Sequence, residues 1–292
     1  MAGTRTICIT GAGGFIGSAL TKHLLGCGYS IRSLVRKLPA GEDSRVKYGY
    51  WSLGEAVPEE LISGADVLIH CAYAKKAAGR ASYYDNVSGS DKLLKQAAAA
   101  GVKQFIFLSS FSAADDAPSE YGRQKYSIER LFYQYDGLVI RCGLVIGPGG
   151  LFYSIAQRVK KGACIPLING GKQVVQTIFI DDLSLIVERS IEARFTGMLD
   201  VAARDCITYR EFIRGIADCY RQKAHMISLA YGLLLLMLQT AGRIGLRLPA
   251  TADNLRGLKA MRARDVSASL DRLGFEPRPT EASLSAFCAG EE

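Results

Sequence analysis

Apolar and polar positions switch between two periods along the first half of the chain. A short apolar run at Ile7–Ile9 has the length of a buried strand. Phe15, Ile16, Leu20, Leu24 and Leu25 then recur at helical spacing. Between the two, Gly11, Gly14 and Gly17 follow one another at three-residue intervals. The alternation repeats, predicting strands at Ser30–Val35, Val46–Trp51, Ala65–Ala72, Gln104–Leu108 and Leu138–Arg141. Helices are predicted at Leu93–Ala100 and from Tyr121 to about Tyr135. The run Ala65–Ala72 is apolar enough to be covered on both faces, as strands of a parallel sheet are. Strands alternating with helices predict an α/β fold with a doubly wound parallel sheet and right-handed crossovers.

Past Gly150 the pattern loosens. Helices are predicted at Phe152–Lys161, Asp182–Ala193 and Tyr209–Tyr220, with β structure around Ile178 and at Leu199–Ala202. Residues 1–150 are therefore expected to form the sheet domain, with segments around 174–202 returning to it. Residues 151–292 are expected to build mainly a smaller α+β C-terminal substrate lobe. The most apolar run, Met226–Ala241, falls short of the roughly 20 residues that span a bilayer. Arg221 and Lys223 precede it, and Arg243 and Arg247 follow. The expectation is a helix buried at a lobe or dimer interface. The alternative is a peripheral membrane contact through 226–241, or the lining of a lipidic pocket.

Composition adds bounds. The chain has 292 residues, 49% of them hydrophobic, enough for a sizeable core. The pattern begins near Thr4, so no signal peptide is expected ahead of it. The eight cysteines are scattered singly, without a Cys-x-x-Cys pair or a metal-like cluster, so no metal is expected and a reducing cytoplasm fits. The net charge of +8 suits an anionic ligand or an anionic membrane surface, although cations interspersed with acids are also ordinary surface. No nucleic-acid-binding motif is present, and no nucleic-acid partner is expected.

The candidate chemistry starts at the glycine turn. Strand, glycine turn and helix together make a Rossmann-like dinucleotide-binding unit. Gly11 permits the tight turn, Gly14 lets backbone N–H groups approach a pyrophosphate, and Gly17 lets the helix pack close to the strand. The helix N-terminus then faces the phosphates with partial positive charge. At the end of the second strand, where an acid would bind the ribose hydroxyls of NAD, stand Arg36 and Lys37. An arginine pairs with the 2′-phosphate of NADP, so NADP(H) is expected, with NAD(H) possible. His70, inside a strand, reads as a packed core residue. Tyr121 and Lys125, four apart on a predicted helix, share one face. A phenol with a reference pKa near ~10 becomes a usable base beside an ammonium. Ser110, at the end of the preceding strand, would hydrogen-bond the same substrate oxygen. Asn86 would hold backbone or water near the lysine.

Six segments carry a family resemblance: Thr10–Gly17, Ile69–Ala72, Asn86–Gly89, Phe105–Ser110, Tyr121–Lys125 and Phe179–Leu183. Through them the sequence resembles the extended short-chain dehydrogenase/reductase family along nearly its whole length. The resemblance implies a catalytic group of Ser110, Tyr121 and Lys125. It also implies a dinucleotide held by Gly11, Gly14, Phe15, Ile16, Gly17, Arg36, Ala72, Asn86 and Lys125, and a homodimer formed through a helix bundle. Two positions depart from the pattern. Tyr50 stands where many members carry an aspartate near the adenine, and Val175 where sugar-nucleotide epimerases often carry an arginine. Arg158, Lys160, Lys172 or Arg243 would have to bind a substrate diphosphate instead. The leading expectation is a ketoreductase acting on a nucleotide-activated sugar. The alternatives are a nucleotide-sugar epimerase with tightly bound NAD, a reductase of a steroid-like or lipid-like substrate, and a non-catalytic dinucleotide-binding subunit.

Overall fold

The computed structural model describes residues 5–38, 41, 43–74, 83–243 and 251–291. The strands β1 (Thr6–Thr10), β2 (Ser30–Val35), β3 (Val46–Tyr50), β4 (Val67–His70), β5 (Gln104–Ser110) and β6 (Leu138–Cys142) come first. Between them lie α1 (Phe15–Gly26), α2 (Glu59–Ile62), α3 (Tyr83–Ala99) and α4 (Glu120–Tyr133). Next come β7 (Leu144–Ile146), α5 (Gly150–Lys160), β8 (Ile165–Ile168), β9 (Val174–Val175), β10 (Thr177–Phe179), α6 (Ile180–Glu192) and β11 (Gly197–Val201). The chain ends with β12 (Ile207–Thr208), α7 (Tyr209–Cys219), β13 (Met226–Leu229) and the helices α8 (Tyr231–Arg243), α9 (Ala252–Lys259), α10 (Ser267–Leu273) and α11 (Thr280–Ala289).

Two compact units interleave along the chain. The first comprises Met1–Ser109, Gln124–Arg141 and Ile180–Leu199; the second comprises Ser110–Arg123, Cys142–Phe179 and Asp200–Glu292. The first is built on a seven-stranded sheet ordered β11-β6-β5-β4-β1-β2-β3, in which β3, β2, β1, β4 and β5 pair in parallel. The order reverses at β1, flanked by β2 and β4, and such switch points are where open α/β sheets leave a ligand crevice. Alternate strand residues Cys8, Leu34, Leu68, Phe105, Phe107 and Val139 pack with Leu61 of α2, Leu93 and Leu94 of α3, and Ile128 and Phe132 of α4. Ile7, Ile9, Ile31, Ile69 and Ile106, on the opposite face by strand periodicity, are as deeply buried. Both faces of the sheet are therefore covered, α1 and α6 packing side by side.

Three elements differ from expectation. Helix α3 begins at Tyr83, ahead of the alanine-rich stretch, although Asn86, Ser88 and Gly89 are weak helix formers. Packing overrides propensity there: a Cβ on Gly89 would lie 2.8 Å from Leu53 Cγ and 2.9 Å from Gly54 N. The run Met226–Ala241 is also not one helix. Its first residues pair in parallel with β8, Met226 opposite Ile165 and Leu229 opposite Ile168, and only then does α8 start. Of the stretch around 174–202, β11 joins the main sheet, while β9 and β10 lie in two-stranded pairs with β12 and β7.

In the second unit, Phe152 of α5 packs against Phe212 of α7 and Phe287 of α11, at centroid distances of 6.0 and 4.8 Å. Thr208 and Glu211 close a capping box at the start of α7. A disulfide joins Cys219 at the end of α7 to Cys288 in α11. This corrects the reading of all eight cysteines as single thiols: residues 69 apart in sequence meet because the two helices pack together.

Candidate active site

The glycine turn leaves the end of β1 through Gly11, whose φ of +66° lies in the left-handed region. A Cβ there would also lie 2.7 Å from Ala72 N, just past the end of β4. One on Gly17 would lie 2.8 Å from Ala12 Cα, so α1 sits on the turn only because that side chain is absent. Gly14 is different. Its Cβ would meet a single neighbour, Gly11 O at 3.2 Å, and packing does not require a glycine there. Gly14 is the N-cap of α1, with no side-chain cap and no acid in the first turn. An uncapped, uncompensated helix N-terminus beside an open glycine fits a dinucleotide pyrophosphate. Phe15 and Ile16 begin that helix.

Beside the turn a buried polar chain ties β1, β4 and α3 together. Thr10 Oγ1 lies 2.7 Å from His70 Nδ1, and His70 Nε2 lies 3.0 Å from Ser90 Oγ. Ser90 Oγ donates to Asn86 O at 2.7 Å, so it accepts from His70 Nε2–H and leaves Nδ1 to accept from Thr10. Burial, with Lys125 adding a like charge, lowers the His70 pKa to about 3. His70 is thus a neutral core residue, its ring in contact with both Phe107 and Phe132, which also stack on each other. Asn86 extends the chain, accepting from Ala74 N at 2.8 Å while its amide donates to Ala74 O and to Gln124 Oε1. Tyr73 OH also donates to Gln124 Oε1, at 2.6 Å. The strand-end backbone after β4 is therefore clamped by one buried asparagine.

Lys125 is buried on α4, its Nζ donating to Leu108 O at 2.7 Å and lying 4.5 Å from the Phe107 ring centroid. Tyr121 lies one turn earlier on the same helix, and Ser110 ends β5. Ser110 Oγ accepts from Ser112 N at 3.2 Å. The start of α4 is held by Asp253 of α9, whose carboxylate accepts from Glu120 N at 2.7 Å and Tyr121 N at 3.3 Å. After Ser110, Arg264 grips the chain: Nη2 donates to Phe111 O at 3.2 Å, and Nη1 pairs with Asp200 at 3.4 Å. Beneath the other end of α4, the fully buried Glu129 accepts two bonds from the Arg141 guanidinium and one from Ser109 Oγ.

These supports were not singled out from sequence. Asp253 and Arg264 lie more than a hundred residues from the backbone they hold, and no spacing rule connects them. Glu129 had a signal: Lys125 and Glu129 share the helical stripe of the buried Ile128 and Phe132, where a charge is out of place. The structure also gathers His23 of α1, Cys27 just past its end and Glu188 of α6, with ligand-type atoms within 4.8 Å of one another. His23 Nε2 lies 2.7 Å from Glu188 Oε2, and the hydrogen bonding and charge of Glu188 add to burial in holding the Cys27 thiol up at about 11.

Arg36 and Lys37 follow β2 as exposed side chains, and Tyr50 ends β3 with 61% of its surface exposed. Of the candidate diphosphate ligands, Lys160 pairs with Glu291 at 3.2 Å. Arg158 is half-buried in α5 and Lys172 is exposed. Arg243 closes α8 without its side chain being described, and Arg247 lies outside the described residues.

The strand order, the glycine turn and the uncapped helix together define a dinucleotide-binding enzyme fold. The chain belongs to the NAD dependent epimerase/dehydratase family, whose model matches residues 7–197. It is accordingly an oxidoreductase or epimerase of the extended short-chain dehydrogenase/reductase type. Ceramide reductase of Caulobacter vibrioides is 29% identical over 237 residues, covering 76% of this chain and 73% of that one. UDP-glucose 4-epimerase of Vibrio cholerae is 30% identical over 194 residues, covering 56% and 59%. Among solved structures, the UDP-glucuronic acid 4-epimerase of Bacillus cereus in complex with NAD superposes with a TM-score of 0.75 at 17% identity, over 98% of this chain and 99% of that one. This last likeness is one of fold.

The bound dinucleotide in that structure, and in its complex with UDP-glucuronic acid, is NAD. This overturns the NADP(H) preference drawn from Arg36. The physical reason is that exposed cations at a strand end, here Arg36 and Lys37, do not by themselves discriminate. A solvated guanidinium there can pair with a phosphate, but it also tolerates the neutral ribose of NAD, because water satisfies it when no phosphate is present. Among the described residues, no helix is long and apolar enough to cross a membrane.

Proposed function

We propose that this chain is a nucleotide-sugar epimerase that retains NAD, with Ser110, Tyr121 and Lys125 as its catalytic group. The observation that carries the proposal is the pairing of Tyr121 and Lys125 one turn apart on α4, with Lys125 Nζ anchored on Leu108 O. In this reading Tyr121 Oη takes the proton of a substrate hydroxyl as its carbon becomes a carbonyl, and returns it later. Ser110 Oγ donates to the same oxygen. The Lys125 ammonium favours negative charge on the phenol oxygen. Gly11, Gly14 and Gly17, with the N-terminus of α1, would hold the NAD pyrophosphate, and Phe15, Ile16, Ala72 and Asn86 would shape the same crevice. NAD, when bound, supplies a hydride acceptor that gives the hydride back. The likeness to UDP-glucose 4-epimerase supports the epimerase reading.

The test is the nucleotide released on denaturing the purified protein, followed by incubation of the holoenzyme with UDP-hexoses. Near-stoichiometric NAD and interconversion of two UDP-sugar epimers is the expected result. A site that is empty after purification, together with net NADH consumption by a ketone, would overturn it. A second reading, an NADH-dependent reductase of a lipid-like ketone, is favoured by the exposed leucines of α8 and by the likeness to ceramide reductase. Consumption of NADH by a long-chain ketone would establish it.

A further inference from the structure

We propose that the outer face of α8 is a docking surface for an anionic lipid bilayer. The inner face of α8 is accounted for. Leu234 packs with Leu255 of α9 and Ile168 of β8, and Tyr231, Leu235 and Leu238 join that cluster. The outer face is not. Leu233, Leu236 and Met237 are 51%, 57% and 50% exposed, and with Thr240 they occupy positions i, i+3, i+4 and i+7 of one stripe. Ile227, in the preceding strand, is 49% exposed. Thr240 Oγ1 donates to Leu236 O at 2.9 Å, so its hydroxyl is spent on the helix itself and the stripe presents no unmet polar group. Three large apolar side chains in one exposed stripe, on a helix whose 13 described residues are too few to span a bilayer, suit an interfacial helix lying in the membrane plane.

Charge decides the occupant. Residues 221–262 carry seven lysines and arginines and a single acid, Asp253. That acid is already engaged by the backbone at the start of α4. Arg221 and Lys223 are exposed just ahead of β13. Lys259 of α9 sits with its Nζ 3.9 Å from the Tyr231 ring centroid, at the first residue of α8. Arg262 is exposed just beyond α9. An exposed apolar stripe in a stretch of chain this rich in cations matches a surface that offers hydrocarbon beneath anionic headgroups. A second copy of the chain would instead bring two basic faces together within a Debye length of about 8 Å at physiological salt, which is repulsive. The inference stands on this surface alone and does not depend on which reaction the enzyme performs.

The test is sedimentation of the full chain with vesicles of phosphatidylcholine, and of phosphatidylcholine mixed with phosphatidylglycerol. Binding to the mixed vesicles, weakened at high salt and reduced about tenfold or more in the doubly substituted L236Q/M237Q chain, is expected. Both positions are exposed, so the variant keeps its fold, and unchanged NAD binding in the same preparation verifies this. Absence of binding to the mixed vesicles would overturn the proposal. So would equal binding by the variant, or a dimer that the variant dissolves without any vesicle binding; the last result would assign the stripe to a second copy.

Discussion

Tyr121 and His70 are two titratable side chains with different parts to play, the first in the proposed chemistry and the second in the buried core. Tyr121→Phe removes one hydroxyl from a helix whose start is held by backbone contacts to Asp253. The expected outcome is a fall in kcat of roughly 10²–10⁴ with little change in unfolding midpoint, checked by turnover of a UDP-sugar alongside urea denaturation. His70 gives a pH signature. Its pKa lies near 3 in the folded chain against a reference of about 6.5 unfolded. Between those values the unfolded state binds one more proton than the folded state. Stability is therefore full above about pH 6.5 and declines as the pH falls towards 3, by at most about 1.4 kcal/mol per pH unit from this group. Urea unfolding at several pH values down to 5 should show that slope, and His70→Phe should remove one proton's worth of it. Glu129→Gln leaves the Arg141 guanidinium without its buried counter-charge. A loss of about 3–5 kcal/mol is expected in the same unfolding assay.

At the level of elements, the turn from β1 into α1 separates glycines that packing requires from Gly14, which meets one atom and is the proposed binding glycine. Gly17→Ala would push a methyl into the backbone of Ala12 and is expected to destabilise the fold. Gly14→Ala meets only one carbonyl at 3.2 Å, so the fold should survive while NAD affinity drops by about tenfold or more. Calorimetric titration with NAD, next to thermal unfolding of both variants, distinguishes the two. Equal loss of stability in both would remove the special role given to Gly14. The same spacing rules explain what was readable here. Apolar run, glycine turn and helical stripe are local, and β1, α1, β2 and β4 stand close to where they are predicted. The sequence pattern shortens helix α3 because Asn86, Ser88 and Gly89 are weak helix formers, and only packing against Leu53 and Gly54 turns that preference round. The boundary between β13 and α8 was invisible for a related reason. Met226 pairs with Ile165, a partner that no local pattern names.

Across the whole molecule, the Cys219–Cys288 bridge closes a long loop within the second unit. Constraining the unfolded chain over a separation of 69 residues is worth about 4 kcal/mol in the loop-entropy picture. Thermal unfolding with and without reductant should show the second unit losing stability on reduction. Cys288→Ser should be insensitive to the same treatment.

By itself the sequence determined the alternation of strand and helix, the glycine turn and the i, i+4 placement of Tyr121 and Lys125. Each depends on residues within a turn or two of one another, where periodicity and backbone sterics act directly. Tertiary structure alone decided which distant groups serve them. Asp253 reaches the start of α4, Arg264 the chain after Ser110, and Cys288 its partner Cys219. These pairings are made by packing between segments that leave no periodic trace in either stretch. The expectation of NADP(H) failed for the opposite reason: Arg36 is plainly visible in the sequence, but exposed cations at a strand end do not by themselves select one ribose over another.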